Sequence, residues 1–399
     1  MFAAAKRLWV IVALSAIMAA CASPPPPKLP AKPMDFETAI RALTGNLLTQ
    51  LNSNLPFLVS DEITVAVEPM IDANTAEVTM ASRRIDEIIL DETRKQFPKI
   101  KLQALNSKSA ETAQYLLTGM IKPEQRGDAK GAALYYIRSA IIDLKTHRVV
   151  ANTDVRVIDP NLDATPISAF QDNPMYTRDK RVDSLAKIVG TEPGQLADKG
   201  YMDGLTTAAL MADGDRMYDG KNYEKALGYY KEASLRADGQ VMRTYAAMYQ
   251  AYRKLNRMED AEIAFGRMIA LGYSTNNMNI KLLFSVASTQ FIADPDMRSQ
   301  YAIWLRQIAR FFAKADSCLN IVGHSSRTGN EAFNESLSLQ RAQAVQNLMQ
   351  KDFPNIMSRS KAAGRGWKEN IAGLGSDDIR DAVDRRVEFR VVPCRDIAE

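Results

Sequence analysis

The chain has 399 residues, of which 46% are hydrophobic and 25% are charged, and this is enough for two or three globular domains. Its formal net charge of +4 includes Lys6 and Arg7, which lie in an N-terminal segment that we expect to be cleaved. The mature chain is then close to neutral. Because nucleic-acid binding requires a basic stripe, the composition argues against a nucleic-acid partner.

Residues 1–20 have the pattern of a signal peptide, with a positive start and an apolar core over 8–18 that is too short to span a bilayer comfortably. Residues 18–21, Met-Ala-Ala-Cys, resemble a bacterial lipobox. The resemblance implies that Cys21 is lipidated and becomes the first mature residue, and two or more acyl chains would anchor it stably. The alternative is an ordinary Ala-x-Ala cleavage site with an incidental cysteine. Ala22 and Ser23 follow rather than an Asp, which by the usual sorting rule implies the outer membrane.

Proline recurs through the next segment, 21–34, at positions 24–27, 30 and 33. Such a segment is extended and semi-rigid, so we interpret it as a lipidated tether that spaces the folded part from the lipid surface. The sequence predicts no further membrane-crossing stretch, and it therefore places the remainder in the periplasm.

Residues 35–159 have the periodicity of one α/β domain. The pattern predicts helices over 36–51 and 80–97 and strands over 63–67, 100–105, 115–121, 134–144 and 149–157. This element order resembles the periplasmic domain of CsgG-like secretion lipoproteins and LpoB-like synthase activators, without a diagnostic motif. The resemblance implies a domain that binds a protein partner rather than one that catalyses a reaction.

Residues 160–204 are rich in Asp, Pro and Thr and predict a linker ending in a short helix. Residues 205–275 then contain an internal repeat, because the segment 222–230 recurs as 257–265. It resembles two tetratricopeptide (TPR) repeats, in which Ala226 and Ala261 let paired helices approach while Tyr230 and Phe265 fill the gap. Two repeats are fewer than an independent solenoid needs, so they are expected to lean on a flanking helix. The repeats are either a docking groove or a helical spacer.

The last domain is predicted over 276–399. Its pattern indicates strands over 280–286, 319–322 and 384–389, helices over 299–315 and from about Asn334 onward, and loops over 361–366 and 373–375. The second of these helices follows a polar loop that begins after Gly323-His324. Arg341 sits outside the apolar stripe of that helix, so we expect it to point back toward the loop.

This region resembles the OmpA-like peptidoglycan-binding domain. The family pattern is matched by Gly323, His324, Gly329, Asn334, Leu337, Ser338, Arg341 and Ala342, and the closing Asn-Arg-Arg-Val-Glu-Phe of the family appears at 384–389 with Asp first. The resemblance covers roughly 278–394 and implies a βαβαββ domain, within a chain of the multidomain α/β plus α class. It further implies that a diaminopimelate stem peptide of peptidoglycan binds at Ser325, Ser326, Asn334, Arg341, Asp384, Arg385 and Arg386.

Two departures from the family affect that expectation. In the family an Asp holds the ammonium group of the diamino acid and the helix Arg holds its carboxylate, both by charge-assisted hydrogen bonds. Here the family Thr-Asp is Ser325-Ser326, and a neutral Ser326 would weaken binding by on the order of 1–2 kcal/mol. Asp384 would then supply the missing carboxylate; the alternative is a retained fold whose ligand has changed or been lost. We also expect Arg341→Ala to abolish wall binding and to leave the fold intact.

Cysteine usage fits an oxidising compartment. With Cys21 used by the lipid, Cys318 precedes one predicted strand and Cys394 follows another, so antiparallel pairing of those strands would bring them together as a disulfide. Two unpaired buried thiols are the alternative.

Sequence features of enzymes are scarce. The chain has two His residues without a metal-spaced cluster, and it has neither a phosphate loop nor a nucleophile elbow. We therefore predict a binding protein with no metal and no cofactor: an outer-membrane lipoprotein that grips peptidoglycan and docks a periplasmic protein. The alternatives are an assembly or regulatory subunit of an envelope machine that has lost wall binding, and a purely structural spacer.

Overall fold

The computed structural model describes residue 29 and residues 32–53, 62–124, 134–171, 173–176, 179–293, 295–372, 375 and 379–397. These residues form two β-sheets, one near each end, with a group of helices between them. The predicted signal peptide, Cys21 and most of the tether lie outside the described residues. Among the residues that are described, we find no helix with the length and hydropathy needed to cross a bilayer.

The N-terminal sheet has the strand order β3-β1-β4-β5-β6, with the short β2 also paired to β4. Strand β1 runs parallel to β3 and β4, whereas β4, β5 and β6 are antiparallel neighbours. The strands are β1 Ile63–Val67, β2 Ile71–Asp72, β3 Ile100–Ala104, β4 Tyr115–Glu124, β5 Leu134–Asp143 and β6 Arg148–Ile158.

Two long helices, α1 (Phe36–Ser53) and α2 (Met80–Gln96), cover one face of this sheet. Their apolar residues recur every three or four positions, so one side of each helix is buried against the strands. In β1, Val65 faces these helices while Ala66 faces the other side, as the two-residue period of a strand requires. The helices and strands predicted over 35–159 are therefore present, with bounds that differ by a few residues.

The second face of the sheet is covered by residues that the sequence suggested were a linker. Within 160–204 the structure places α4 (Ser168–Gln171), α5 (Lys180–Ile188) and α6 (Lys199–Asp203); a further short helix, α3 (Ser107–Thr112), follows β3. Leu185, Ile188 and Tyr201 are buried with Leu116 and Ala140 of the sheet. This segment is part of the first domain because the sheet would otherwise expose an apolar face to water.

Four helices follow, α7 (Leu205–Asp219), α8 (Tyr223–Leu235), α9 (Met242–Lys254) and α10 (Met258–Thr275), and they pack as two successive pairs. Ala226, Ala261, Tyr230 and Phe265 are all buried. Tyr230 lies against Gly214 of α7, where a Cβ atom would come within 2.3 Å of the ring. The helix pairs are thus present, while their assignment to the TPR family remains a prediction.

The C-terminal sheet has the order β7-β10-β8-β9, with β7 (Met278–Leu283), β8 (Cys318–Gly323), β9 (Ser360–Gly364) and β10 (Arg386–Val392). Helices α11 (Pro295–Phe312) and α12 (Glu331–Asp352) complete the order βαβαββ. Strand β10 is antiparallel to β7 and β8, and β9 is parallel to β8.

Two predictions within this domain need correction. Residues 361–364, expected in a loop, belong to strand β9, whose small residues conceal the alternation of a strand. The final strand begins at Arg386 rather than at 384, because Asp384 ends a 3-10 helix over Ile379–Asp384. Val392 pairs with Cys318 at the end of the β8–β10 ladder, and Cys318 is joined to Cys394 by the predicted disulfide.

The C-terminal sheet and the helix pairs share one hydrophobic core. Trp304 of α11 is fully buried, its Nε1 donates to the Tyr249 hydroxyl at 2.7 Å, and its ring stacks on Phe265. Helix α10 ends only two residues before β7 begins. The C-terminal domain is therefore packed directly on α9 and α10.

Contacts with the first domain also fix the C-terminal sheet, at its β7 edge. Met175 forms a β-bridge with Ile280 of β7, and Lys281 forms an ion pair with Glu77 in which both side chains are buried. In addition, Asn74 Nδ2 donates to the Ile371 carbonyl at 2.7 Å. The β7 edge of the sheet is thus closed by the chain's own residues.

Candidate ligand site in the C-terminal domain

The end of strand β8 lies directly against the backbone of helix α12. A Cβ atom at Gly323 would come within 1.8 Å of the Ser338 carbonyl oxygen, and one at Gly364 would come within 2.6 Å of Ser338 Oγ. Ser338 Oγ also accepts a hydrogen bond from the Gly366 N–H at 2.9 Å. Glycine at positions 323 and 364 is therefore required for the close packing of helix α12 on the strands.

Arg341 is fully buried and bonded to the backbone of its own domain. Its Nη1 donates to the His324 carbonyl at 2.9 Å, and its Nε and Nη2 donate to the carbonyls of Ser288 and Ser285 at 2.9 and 3.0 Å. The guanidinium group lies 5.3 Å from the centre of the Phe284 ring. Three of its five N–H donors thus join the loop after β7 to the end of β8. Arg341 therefore points toward the loop, but its burial and backbone bonds argue against our expectation that Arg341→Ala leaves the fold intact.

The polar loop between β8 and α12 is fixed at both ends. The Ser325 N–H donates to the Gly366 carbonyl at 2.9 Å, and Asn334 Nδ2 donates to the Thr328 carbonyl at 2.7 Å. Ser325 Oγ is buried without a hydrogen-bond partner among the described residues, and Ser326 Oγ lies 3.4 Å from Thr328 Oγ1. The loop leads directly into the N-terminus of α12, where backbone donors favour an anion, while its Ser325 and Ser326 side chains are buried.

Asp384 and Arg385 come immediately before β10, and their side chains also bond to the backbone. Asp384 Oδ1 accepts hydrogen bonds from the N–H groups of Ile371 and Ala372 at 2.6 and 3.0 Å. Arg385 Nε donates to the Phe284 carbonyl at 3.3 Å. Asp384 thus shapes the segment that follows β9, in the manner of a capping carboxylate.

Comparison with known proteins decides the family of this region, because a family model described as the OmpA family matches residues 295–382. This part of the chain is an OmpA-family domain. Outer membrane protein A of Shimwellia blattae is 33% identical over 85 residues, which is 19% of this chain and 34% of that protein. The chain thus spans about a third of the length of the curated relative that it matches.

Two solved structures are similar to part of the chain. The peptidoglycan-associated lipoprotein from Burkholderia pseudomallei is 22% identical, with 28% of this chain and 88% of that chain covered and a TM-score of 0.24. The periplasmic domain of Helicobacter pylori MotB is 20% identical, with 28% and 69% covered and a TM-score of 0.22.

Beside the loop, the OmpA-family domain contains a cluster of charges around His324 and Glu388. His324 is fully buried, and its Nε2 lies 3.3 Å from Glu388 Oε1. Glu388 also contacts Arg386 at 3.0 Å and Arg390 at 2.5 Å, and Arg390 bonds Glu369 as well. Burial alone would raise the pKa of Glu388, but its contacts with His324 and the arginines leave that pKa well below its usual range.

The ligand-type atoms of His324, Glu369 and Glu388 lie within 4.8 Å of one another, a spacing that a metal ion could bridge. However, Arg390 contacts both carboxylates and Arg386 contacts one of them. A metal ion would have to displace these guanidinium groups. The cluster is therefore better described as an ion network that joins β10 to the residues after β9.

All seven predicted ligand residues of the OmpA-family domain are buried. Ser325, Ser326, Asn334 and Arg341 lie around the end of β8, and Asp384, Arg385 and Arg386 lie beside them at the start of β10. The two strand ends are adjacent, because Val387 pairs with Gly323 and the His324 N–H donates to the Arg386 carbonyl at 2.9 Å. Sequence reasoning did not assign a role to Glu388 or Arg390. The sequence pattern that could have identified them is the two-residue spacing of Arg386, Glu388 and Arg390. This spacing places the three side chains on one face of the strand.

Proposed function

We propose that the chain is an envelope protein that binds peptidoglycan non-covalently through its OmpA-family domain. The observation that carries this proposal is the family match over 295–382, in a region where a polar loop joins a central strand to a long helix. The proposed ligand is the diaminopimelate-containing stem peptide. Its carboxylate suits the backbone donors at a helix N-terminus, and its ammonium group suits hydroxyl oxygens of the loop as acceptors.

In this proposal Arg341 and Asp384 act mainly by positioning the site. Both side chains are fully buried and hold backbone groups around the loop and after β9. Ser326, which is 6% exposed, lies where the family pattern has its Asp. The stem peptide would then contact the loop around Ser326 and would be held by fewer charged groups than the family pattern provides.

A titration of residues 22–399 with a diaminopimelate tripeptide, followed by calorimetry, tests the proposal. Saturable binding is expected. Restoring a carboxylate with Ser326→Asp should tighten it by roughly tenfold, because a neutral bond to the ammonium group becomes charge-assisted. Ser336→Asp adds the same charge on the exposed face of α12 and should leave the affinity unchanged. Absence of binding at millimolar peptide in both the parent and Ser326→Asp would refute wall binding.

A second candidate function is an assembly or regulatory subunit of an envelope machine whose OmpA-family domain has lost its wall ligand. It is favoured by the backbone bonds that already engage Arg341 and Asp384, and by Ser326 in place of the family Asp. Retention of the parent protein on purified cell-wall sacculi would argue against it. Loss of retention, with a reproducible protein partner in pull-downs using residues 22–399, would support it.

We further propose that the chain is an outer-membrane lipoprotein that faces the periplasm. It would dock a protein partner through its first domain or its helix pairs. It rests on the lipobox-like residues 18–21 and on the proline-rich segment after Cys21. Cys21→Ser should abolish incorporation of a labelled fatty acid and release the protein from membranes. Unchanged labelling would refute lipidation at Cys21. The proposed role is binding rather than catalysis.

A further inference from the structure

A cavity of about 1000 Å³ lies between the first domain and the helix pairs, away from the OmpA-family site. One wall is formed by α2, where Arg83, Asp86 and Leu90 have the spacing of one helix face. The lining also includes α7 and the start of α9, with Asp215 and Arg243. The cavity has the size of a site for a small organic molecule or a short peptide.

Most charged groups named around this cavity are paired. Arg83 forms an ion pair with Asp219 at 2.9 Å, and Glu68 pairs with Arg181 at 2.6 Å. Two buried atoms are exceptions: Asp86 Oδ1 and Arg243 Nη1 have no hydrogen-bond partner among the described residues. A buried polar atom without a partner is costly. These two atoms belong to oppositely charged residues that line one cavity, which points to a ligand that enters it.

Arg243 is held in place by its neighbours, although its Nη1 has no hydrogen-bond partner among the described residues. Its Nη2 contacts both carboxylate oxygens of Asp215, at 2.7 and 2.8 Å, and its guanidinium carbon lies 3.9 Å from the centre of the Phe170 ring. The Tyr230 hydroxyl donates to the same carboxylate at 3.0 Å. The guanidinium group is therefore preorganised to receive a carboxylate or carbonyl oxygen.

Asp86 supplies the complementary group on α2. Its side chain is partly exposed as a whole, but its Oδ1 is buried. Burial raises its pKa to about 7, with Arg83 opposing this effect and Glu87 adding to it. An ammonium group beside Asp86 would stabilise the charged carboxylate and remove this cost of burial.

We propose that this cavity binds a short peptide with free termini, whose ammonium group lies at Asp86 and whose carboxylate lies at Arg243. The charges on the two walls match the two ends of such a zwitterion, and the apolar side chains of Leu90, Phe170 and Met211 line the space between the helices. This site is separate from the proposed peptidoglycan site and does not depend on it.

The probe is trialanine with free termini, titrated by calorimetry into residues 22–399, with N-acetyl-trialanine amide as the uncharged counterpart. We expect saturable binding of trialanine only. Asp86→Asn should weaken it by at least tenfold, since the pairing with the ammonium group is lost. Arg243→Lys, which keeps a charge for Asp215 but lacks Nη1, should weaken it similarly. Glu232→Gln removes an exposed charge outside the cavity lining and should have no effect.

A measurement without ligand separates a binding role from a structural one. If Asp86 is kept for a ligand, Asp86→Asn should raise the melting temperature of the free protein, because it removes a buried carboxylate oxygen without a partner. A lowered melting temperature together with absence of trialanine binding at millimolar concentration would overturn the proposal. Equal binding of the capped and free peptides would overturn it as well. Because the stem peptide is itself zwitterionic, its titrations are repeated in Asp86→Asn to separate the two sites.

Discussion

Replacing Arg341 with Ala should destabilise the OmpA-family domain, in contrast to what its sequence position suggested. The change leaves three carbonyl oxygens, those of Ser285, Ser288 and His324, without their donors. The bond to His324 is buried and the other two are partly buried, so we expect a larger cost for the first. At about 1–3 kcal/mol for each buried acceptor, the total is about 4 kcal/mol.

Urea unfolding of residues 22–399 followed by tryptophan fluorescence measures this cost. Both tryptophans that remain, Trp304 and Trp367, lie in the C-terminal domain, so the signal reports on that domain. With an m value of about 3 kcal/mol per molar, the urea midpoint should fall by about 1.3 M. Arg310→Ala makes the same chemical change at an exposed position on α11 and should leave the midpoint nearly unchanged.

The reasoning would be refuted by an Arg341→Ala protein whose midpoint lies within about 0.3 M of the parent value while stem-peptide binding is lost. Arg341 would then be a direct ligand group, and its carbonyl contacts would contribute little to stability. A large fall in the midpoint supports the positioning role described above.

Three further changes test other contacts. Gly323→Ala should lower the same urea midpoint at least as much as Arg341→Ala, because its Cβ would overlap the Ser338 carbonyl. The control Gly266→Ala, which lies in open space on α10, should be neutral or stabilising. Lys281→Met should cost about 3–5 kcal/mol by leaving Glu77 buried without its partner, and adding Glu77→Gln should recover part of this loss. Burial lowers the pKa of His324 below 6.5, against the raising effect of Glu388. The unfolded chain therefore binds this proton more readily, so the free energy of unfolding should fall as pH drops below about 6.5, and His324→Asn should flatten that fall.

The strands and helices of the first domain could be predicted because their spacing is regular. Ile63, Val65 and Val67 alternate along β1, and their side chains are buried on one face of the sheet. The disulfide was predictable for a similar reason, since the start of β8 and the end of β10 meet in an antiparallel pair. Local pattern was sufficient in both cases.

The burial of Arg341 was missed although its spacing signals it. Asn334, Ser338, Arg341 and Val345 recur at intervals of three or four residues, and all four are buried on one face of α12. Three of them are polar, so a search for apolar periodicity does not count them. The helix buries them because backbone groups at the end of β8 and in its neighbouring loops need hydrogen-bond partners.

Other features have no local signal. Residues 160–204 contain short helices among turn residues, and their burial follows only from the need to cover the second face of the first sheet. The cavity is likewise assembled from distant segments, since Asp86 and Arg243 are 157 positions apart in the sequence. Only the tertiary structure brings these groups to the same space.

The close packing of the C-terminal domain on the rest of the chain has a mechanical consequence. Tension applied between residue 29 and the OmpA-family domain would load the Met175–Ile280 bridge, the Lys281–Glu77 ion pair and the short connection between α10 and β7. These contacts lie in or beside a shared core, so a pull on the OmpA-family domain would move the first domain and its cavity with it. The described part of the chain would then transmit force as one rigid unit.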